Sequence, residues 1–359
     1  MNPSEKQAQA YLDSLIQKNQ IPGIQYVVVD EQSIRFEYMG GRRDVGANLP
    51  VTEKTTFMAS SSTKVLTAAA ILQLVERGQI GLDKSLSAYY SDHPYGDQVT
   101  IRHLLNQTSG IGNPAPVKWL HTVEEHPAFD EAQALKKVLS QHPRLAFPPG
   151  DKYAYSNISY WLLGQVIQHV SGQSYCDFMR QNVFNPLGIS QTEVGCLIPD
   201  LAHHAGGYQK LSPLGFVLYL MVDKKLRGGT EAGWFRLRPT YMNGPAYGGL
   251  IGTAQGFARF LQDQLHARPV LFGADTKALF FSPQKDNQGR EIETTLGWHR
   301  GRVADTFYYG KPGGGPGFRS NLRIYPDRAI ATAWLMNETG INEKPCIDLS
   351  DILDRPFLP

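Results

Sequence analysis

Four consecutive residues, Ser61-Ser62-Thr63-Lys64, begin the clearest helical pattern in the chain and are of types suited to nucleophilic catalysis. Ser61 and Lys64 are three positions apart, so on a helix they lie on one face, about one turn apart. A serine hydroxyl becomes a good nucleophile only when a base takes its proton. A lysine in apolar surroundings loses its charge more easily and can be that base. The pattern also fits a helix-capping serine followed by a solvated lysine, and Ser60 is a weaker rival nucleophile.

The helix that follows is predicted to span residues 61–77 and to end at Gly78. Its apolar residues wrap most of the circumference, which is typical of a helix buried in the centre of a fold. We therefore expect Lys64 to be buried and to need polar partners. The N-terminus of the helix also offers backbone N–H groups to a developing oxyanion.

A second group, Tyr155-Ser156-Asn157, lies between a Pro-Pro-Gly turn and the helical pattern at 157–171. A tyrosine beside cationic side chains can lower its pKa and transfer protons. Asn157 offers both an amide donor and an acceptor. Taken alone, the group favours a structural interpretation, a loop tyrosine that packs by its ring and an asparagine that caps the next helix.

A third group, residues 311–317 (KPGGGPG), lies between two strand patterns. Its glycines would let a substrate approach the backbone closely. A phosphate-binding loop is a weaker interpretation, because neither a Gly-Lys-Ser/Thr sequence nor a helix follows.

Together the three groups resemble the serine β-lactamase and penicillin-binding protein superfamily, which carries Ser-x-x-Lys, Tyr- or Ser-x-Asn and Lys/His-x-Gly in this order. The tyrosine in the second motif resembles the branch of class C β-lactamases, with related D-Ala-D-Ala carboxypeptidases and esterases. The resemblance covers nearly the whole chain, and its supporting stretches are IPGIQYVVVD, TIRHLLNQTSGI, FPPGDKYAYSNISYWLLGQVI, FNPLGISQT, YGGLIGTAQGFARFL and GGGPGFRSNLRIYPD.

The resemblance implies a role for each matching residue. Ser61 would be the nucleophile, Lys64 its base or electrostatic partner and Tyr155 the proton shuttle. Asn157 would orient Lys64 and the substrate amide, and Lys311 would keep the phenol of Tyr155 acidic. The backbone of Ser61 and Gly314, with Gly313 beside it, would bind the oxyanion and the substrate.

One position departs from the family pattern. Pro312 stands where the family usually has a threonine or serine whose hydroxyl helps to hold a substrate carboxylate. Proline has neither a hydroxyl nor an N–H. We therefore expect weaker recognition of β-lactams and D-Ala-D-Ala peptides.

The strand and helix patterns predict an α+β fold. Strand patterns at both ends of the chain, with helical patterns between, imply one sheet built from the two termini. The resemblance implies a single β-lactamase-like domain over 1–359, with an antiparallel sheet flanked by helices. Within it, 1–80 plus 246–359 would form the sheet part and 81–245 a mostly helical part.

Composition narrows the possible partners. The formal charge is only +2, from 35 Lys plus Arg against 33 Asp plus Glu, which gives no electrostatic argument for nucleic acid or an acidic membrane surface. The three cysteines are widely spaced and are expected to be isolated, with no metal site and no cofactor. No apolar run is long enough to span a bilayer, so the expected compartment is cytoplasmic, or periplasmic if a signal peptide was removed.

These observations predict a serine hydrolase that acts on a small ester, amide or peptide, with small esters favoured. The alternatives are a β-lactamase or a D-Ala-D-Ala carboxypeptidase or D-amino peptide hydrolase, and a non-catalytic relative that binds a ligand. The sequence leaves the oligomeric state open.

Overall fold

The computed structural model describes residues 1–114, 119–340 and 343–358. The helices are α1 Pro3–Gln17, α2 Thr63–Glu76, α3 Ile101–Leu105, α4 Glu131–Gln141, α5 Asn157–Ser171, α6 Tyr175–Met179, α7 Pro213–Met221, α8 Pro245–Gly248, α9 Ala254–Leu265, α10 Ala274–Phe281 and α11 Lys344–Asp354. The strands are β1 Gly23–Asp30, β2 Ile34–Asp44, β3 Leu49–Pro50, β4 Phe57–Met58, β5 Leu120–Thr122, β6 Val194–Gly195, β7 Gly207–Lys210, β8 Arg227–Glu231, β9 Trp234–Leu237, β10 Thr240–Met242, β11 Ile251–Gly252, β12 His299–Val303, β13 Thr306–Gly315, β14 Phe318–Tyr325 and β15 Ile330–Met336.

The main sheet joins the two ends of the chain, as the sequence predicts. Its seven strands lie in the order β12-β13-β14-β15-β1-β2-β3, and every neighbouring pair is antiparallel. The N-terminal strand β1 pairs with the C-terminal strand β15, from Ile24 opposite Met336 to Asp30 opposite Ile330. The mixed helix and antiparallel-sheet class is therefore confirmed.

Helices cover both faces of this sheet. Successive side chains of a strand point to opposite faces, so a single strand contributes to the core on each side. Val27 and Val29 of β1 belong to the large core that also contains α2 and α9. Tyr26 and Val28 belong to a smaller core under α1 and α11.

Helix α2 runs through the large core. Residues 63–74 are all buried, although four of them are polar: Thr63, Lys64, Thr67 and Gln73. A short 3₁₀ turn, Ser60–Ser62, precedes it, so the regular helix starts two residues later than the pattern predicts. The predicted burial of this helix is confirmed.

The middle of the chain contains the helix predicted at 157–171, as α5, together with α3, α4 and α6. It also contains two small sheets that the sequence analysis did not anticipate, β5–β10 and β7–β9–β8. A further unpredicted element is the apolar helix α7. The division of one domain into 1–80 plus 246–359 and 81–245 stays a proposal.

The expectation that all three cysteines are isolated is wrong. Cys176 in α6 and Cys196 form a disulfide, with their Cα atoms 5.9 Å apart, and Cys346 is free and buried. The two cysteines are 20 positions apart in the sequence, and no local sequence pattern indicates a disulfide at that spacing. Only the packing of α6 beside the loop after β6 brings the two together.

Candidate active site

Ser61 lies in the 3₁₀ turn at the head of α2, where the chain is closely packed. Ser60, just before it, is fully buried with a φ of +47°, in the left-handed region that disfavours side chains. Ser61 itself is partly exposed. The turn thus presents the Ser61 hydroxyl to solvent while it keeps that of Ser60 in the interior.

Lys64 lies one turn further along and is completely buried. Its Nζ is 2.8 Å from Asn157 Oδ1, 2.5 Å from the Tyr247 carbonyl oxygen and 3.3 Å from Ser61 Oγ. Burial, and secondarily the charge of Lys311, hold the pKa of Lys64 well below its ordinary value. The amide and carbonyl oxygens only accept hydrogen bonds, so Lys64 donates to both. Its third contact, towards Ser61, is a donated proton in the ammonium form and a lone pair in the neutral form.

Tyr155 reaches Ser61 from the other side, just before α5. Its hydroxyl donates to Ser61 Oγ at 2.6 Å. The Nζ atoms of Lys64 and Lys311 each lie 4.9 Å from the centre of its ring. Burial nevertheless raises the pKa of Tyr155 well above its ordinary value, although its bond with Ser61 lowers it. This direction does not support the expectation that Lys311 keeps the phenol acidic, and the role of Lys311 stays a prediction.

Asn157, the first residue of α5, is fixed in one orientation. Its Nδ2 and its backbone N–H both donate to Asn113 Oδ1, each at 3.1 Å. The amide oxygen of Asn157 must therefore face Lys64. Asn113 was not singled out in the sequence, since an asparagine in a Gly-Asn-Pro loop is ordinary turn chemistry.

Lys311 of β13 is buried beside Tyr155 and bonded to a residue that the sequence analysis missed. Its Nζ lies 2.6 Å from Nε2 of His299, and His299 Nδ1 lies 3.6 Å from a carboxylate oxygen of Glu343. Burial, with the charges of Lys311 and Lys64, holds the pKa of His299 well below its ordinary value, so the neutral ring accepts from Lys311. Burial lowers the pKa of Lys311 to about 8. No local signal in the sequence reveals this contact. It arises because β12 pairs with β13 so that His299 lies opposite Gly310, the neighbour of Lys311.

The glycines of β13 let this strand lie directly against the turn that carries the serine. A Cβ on Gly313 would lie 2.9 Å from the backbone nitrogen of Ser62, and closer still to the carbonyl oxygen of Ala59 and to Ser320 Oγ. Gly314 is exposed, whereas Pro312 is buried opposite Asn321.

Hydrogen bonds lock the same contact. Ser62 Oγ donates to the Lys311 carbonyl oxygen at 2.7 Å and lies 2.8 Å from Ser320 Oγ, which donates to the Ala59 carbonyl oxygen at 2.6 Å. The backbone of Ser61 is thereby held next to that of residues 313 and 314.

The structure therefore brings together the five side chains singled out in the sequence: Ser61, Lys64, Tyr155, Asn157 and Lys311. Within residues 1–114, 119–340 and 343–358, no group of three or more His, Cys, Asp or Glu side chains is arranged to hold a metal.

Comparison with known proteins agrees with this geometry. The family described as Beta-lactamase matches residues 8–355. Penicillin-binding protein 4* of Bacillus subtilis is 26% identical over 343 residues, which cover 93% of this chain and 72% of that protein. Protein flp of Staphylococcus aureus is 28% identical over 213 residues, 58% of this chain and 42% of that protein.

Solved structures share the fold at lower identity. The D-amino acid amidase of Ochrobactrum anthropi SV3 superposes with a TM-score of 0.81 at 20% identity, covering 99% of each chain. A class C beta-lactamase in complex with cefoxitin gives 0.76 at 18% identity and 98% of each chain. With a family match that spans nearly its whole length, this chain belongs to the beta-lactamase family.

Proposed function

We propose that this protein is a serine hydrolase that cleaves ester or amide bonds through an acyl-Ser61 intermediate. One observation carries the proposal. Ser61 Oγ lies within hydrogen-bond distance of both a buried lysine, Lys64, at 3.3 Å and a phenol, Tyr155, at 2.6 Å. A partly exposed hydroxyl between a base and a proton donor is the arrangement that acyl transfer requires.

Lys64 is the base in this proposal. Its lowered pKa makes the neutral amine easier to reach than in an ordinary lysine, and in that form the bonds to Asn157 and Tyr247 direct the lone pair towards Ser61. As Ser61 Oγ bonds to the substrate carbonyl carbon, its proton passes to Lys64, and the carbonyl oxygen becomes an oxyanion. The resulting ammonium keeps both acceptors and gains a third hydrogen bond.

Tyr155 is the donor to the leaving group. Its raised pKa keeps the phenol protonated before reaction. When the bond between the carbonyl carbon and the leaving oxygen or nitrogen breaks, that atom takes the phenol proton, and the proton on Lys64 restores the phenol. In the second half, a water attacks the acyl carbon by the same route in reverse, and Ser61 leaves with a proton.

The oxyanion is assigned to the backbone N–H groups of Ser61 and Gly314. The close packing of Gly313 against Ala59 and Ser62 supports this assignment, because it fixes the separation of the two segments. Preorganised donors of this kind typically contribute about 10²–10³-fold in kcat.

Small activated esters are the proposed preferred substrates. At Pro312 the strand lacks the hydroxyl with which family members hold a substrate carboxylate. An ester without a carboxylate does not need that bond, and its leaving group departs more readily than an amine.

A D-amino amide or β-lactam is the alternative substrate class, and one structural observation favours it. Strand β12 pairs with β13 only as far as Gly310, opposite His299, and so does not pair with residues 311–315. The carbonyl oxygens of Lys311 and Gly315 accept from Ser62 Oγ and Gly340 N. The backbone groups that remain unpaired can pair with an extended peptide-like substrate. The amidase with the same fold fits this alternative.

A probe of the acyl-enzyme tests the activity itself. Intact-mass spectrometry after reaction with a fluorophosphonate should show one adduct, absent in Ser61→Ala and retained in the matched control Ser60→Ala, whose hydroxyl is buried. A panel of nitrophenyl butyrate, nitrocefin, a D-Ala-D-Ala peptide and D-phenylalanine amide then ranks the substrates. If no acyl or phosphonyl probe labels the wild type, the protein is a non-catalytic relative that binds a ligand.

The disulfide supports a proposal about the compartment. Disulfides form and persist in oxidising surroundings, so the bond between Cys176 and Cys196 favours the periplasmic alternative over the cytoplasmic one. Alkylation in intact cells should leave both cysteines unmodified; labelling of either before reduction would contradict this.

A further inference from the structure

Helix α7, Pro213–Met221, is apolar yet stands on the surface. Its sequence, PLGFVLYLM, contains no charged residue, and such a helix is normally buried. Five of its side chains are about half exposed or more, and Leu211 before it makes a sixth. We call these residues the α7 patch: Leu211 47%, Leu214 64%, Phe216 50%, Val217 54%, Leu220 48% and Met221 56%.

The patch is a concentration of apolar surface, not a scatter. Of the fourteen large hydrophobic residues exposed in the described part of the chain, six fall within the eleven positions 211–221. Single exposed apolar residues are normal, but a contiguous patch of several hundred Å² marks a contact surface.

The opposite side of α7 is well anchored, so the exposure is built into the fold. Tyr219 is buried and stacks on Phe235, with ring centres 4.5 Å apart, and its hydroxyl donates to the Gly228 carbonyl oxygen at 2.8 Å. Ser212 caps the first turn. Arg227 donates to the carbonyl oxygen of Leu220 at 2.7 Å at the other end. Helix α7 therefore packs against the protein through one face and exposes the other face to solvent.

Cations outnumber anions in the segment that carries the patch. Residues 208–238 contain six Lys or Arg and two Asp or Glu, a charge of +4, and the three acids from elsewhere that pair with these cations, Asp44, Glu124 and Glu125, reduce the charge of the region to +1. Three of the six are paired with carboxylates: Lys225 with Glu125, Arg238 with Glu124, and Arg236 with Asp44 and Glu231.

The other three cations, Lys210, Lys224 and Arg227, make no salt bridge within the described residues. Asp223 is the nearest acid in sequence, and its carboxylate accepts from the backbone of Lys225. Three cations without a carboxylate partner in the described residues therefore flank the patch, against the single acid Asp223.

We propose that the α7 patch binds the surface of an anionic lipid bilayer, with the apolar side chains in the headgroup boundary and the flanking cations against the lipid phosphates. A helix of nine residues is about 14 Å long, so it lies in the interface and does not span it. Apolar area together with basic flanks is what such surface binding requires. A second copy is the less favoured occupant, because a two-fold contact uses the same patch on both copies and would bring two cation-flanked surfaces together.

The location of the patch connects it to the active site. Met242 packs against the core under α7 and would lie 3.4 Å from a Cβ on Gly315 of β13. Met242 thus joins the core that supports α7 to the glycine-rich strand of the active site. The proposal concerns a surface and does not depend on the proposed hydrolase activity.

Vesicle flotation tests the proposal. Wild type should float with vesicles of phosphatidylglycerol and phosphatidylcholine, and at least ten-fold less with pure phosphatidylcholine or in 0.5 M salt. The variant Leu214→Gln/Phe216→Gln/Leu220→Gln should lose at least ten-fold of the binding. Lys210→Gln/Lys224→Gln should lose the preference for anionic lipid.

The matched control is Val270→Gln/Ile352→Gln, which changes two exposed apolar residues elsewhere (65% and 47%) and should bind as wild type does. Thermal melting and light scattering accompany each variant, so that unfolding is recognised. Equal binding by the triple variant, or no binding by wild type, would overturn the proposal. So would a wild-type dimer that the triple variant converts to monomer without any change in flotation.

Discussion

Replacement of Gly313 by alanine probes the packing that sets the geometry of the site. The new Cβ would lie 2.9 Å from Ser62 N and closer to Ala59 O, against an ordinary contact of 3.4–4 Å. Both obstacles are backbone atoms, so the 3₁₀ turn must move away from β13 by about 0.5–1 Å. A misplacement of about 1 Å in a catalytic constellation costs on the order of 10²-fold in rate, or about 2.7 kcal/mol of transition-state stabilisation.

The assay is kcat/KM for nitrophenyl butyrate, with the rate of fluorophosphonate labelling as a second readout. Gly315→Ala is the matched control on the same strand, because its Cβ would meet only side-chain atoms, Ser60 Oγ at 3.3 Å and Met242 Cε at 3.4 Å. We expect Gly313→Ala to lose about 100-fold in kcat/KM and Gly315→Ala less than about five-fold, because only the first change displaces the backbone of the turn. Thermal melting shows whether each variant is folded.

Two results would refute this reasoning. The first is a folded Gly313→Ala variant with wild-type kcat/KM, since the turn would then tolerate the added methyl group. The second is full rescue by Gly313→Ala/Ser320→Ala, because removal of Ser320 Oγ leaves both backbone clashes in place.

Four further predictions follow from the same contacts. Lys64→Met, which removes the base but keeps the buried volume, should lower kcat by about 10²–10⁴-fold with little change in KM; a loss below ten-fold would exclude Lys64 as the base. Pro312→Thr should shift the ratio of kcat/KM towards nitrocefin and away from nitrophenyl butyrate by about one to two orders of magnitude; an unchanged ratio would contradict our interpretation of Pro312. The pKa of Lys311 is lowered to about 8, so KM for an anionic substrate should rise above that pH as the cation is lost, while KM for a neutral ester stays constant. Burial raises the pKa of Glu131 to about 7, so the folded state binds a proton that the unfolded state releases near its ordinary value of 4.5, and the free energy of unfolding should fall as pH rises between the two; Glu131→Gln should flatten that slope in urea unfolding, and an unchanged slope would assign it to another group.

The sequence determined the main elements that position the site because their signals are local. The apolar circumference of α2 marks burial of Lys64, and the strand patterns at both ends of the chain imply one shared sheet. The order of Ser61, Lys64, Tyr155 and Lys311 along the chain indicated the family, since each motif is a short stretch with its own residue types.

Tertiary structure alone decided the contacts between distant segments. His299 meets Lys311 through strand register, and Cys176 meets Cys196 through the packing of α6 and a loop. The raised pKa of Tyr155 follows mainly from its burial, which a sequence does not state. The exposed face of α7 is a similar case, because an apolar helix is expected in the core, and only the arrangement of its neighbours leaves one side uncovered. Local patterns specify elements, whereas burial, charge and partnership arise from how those elements pack.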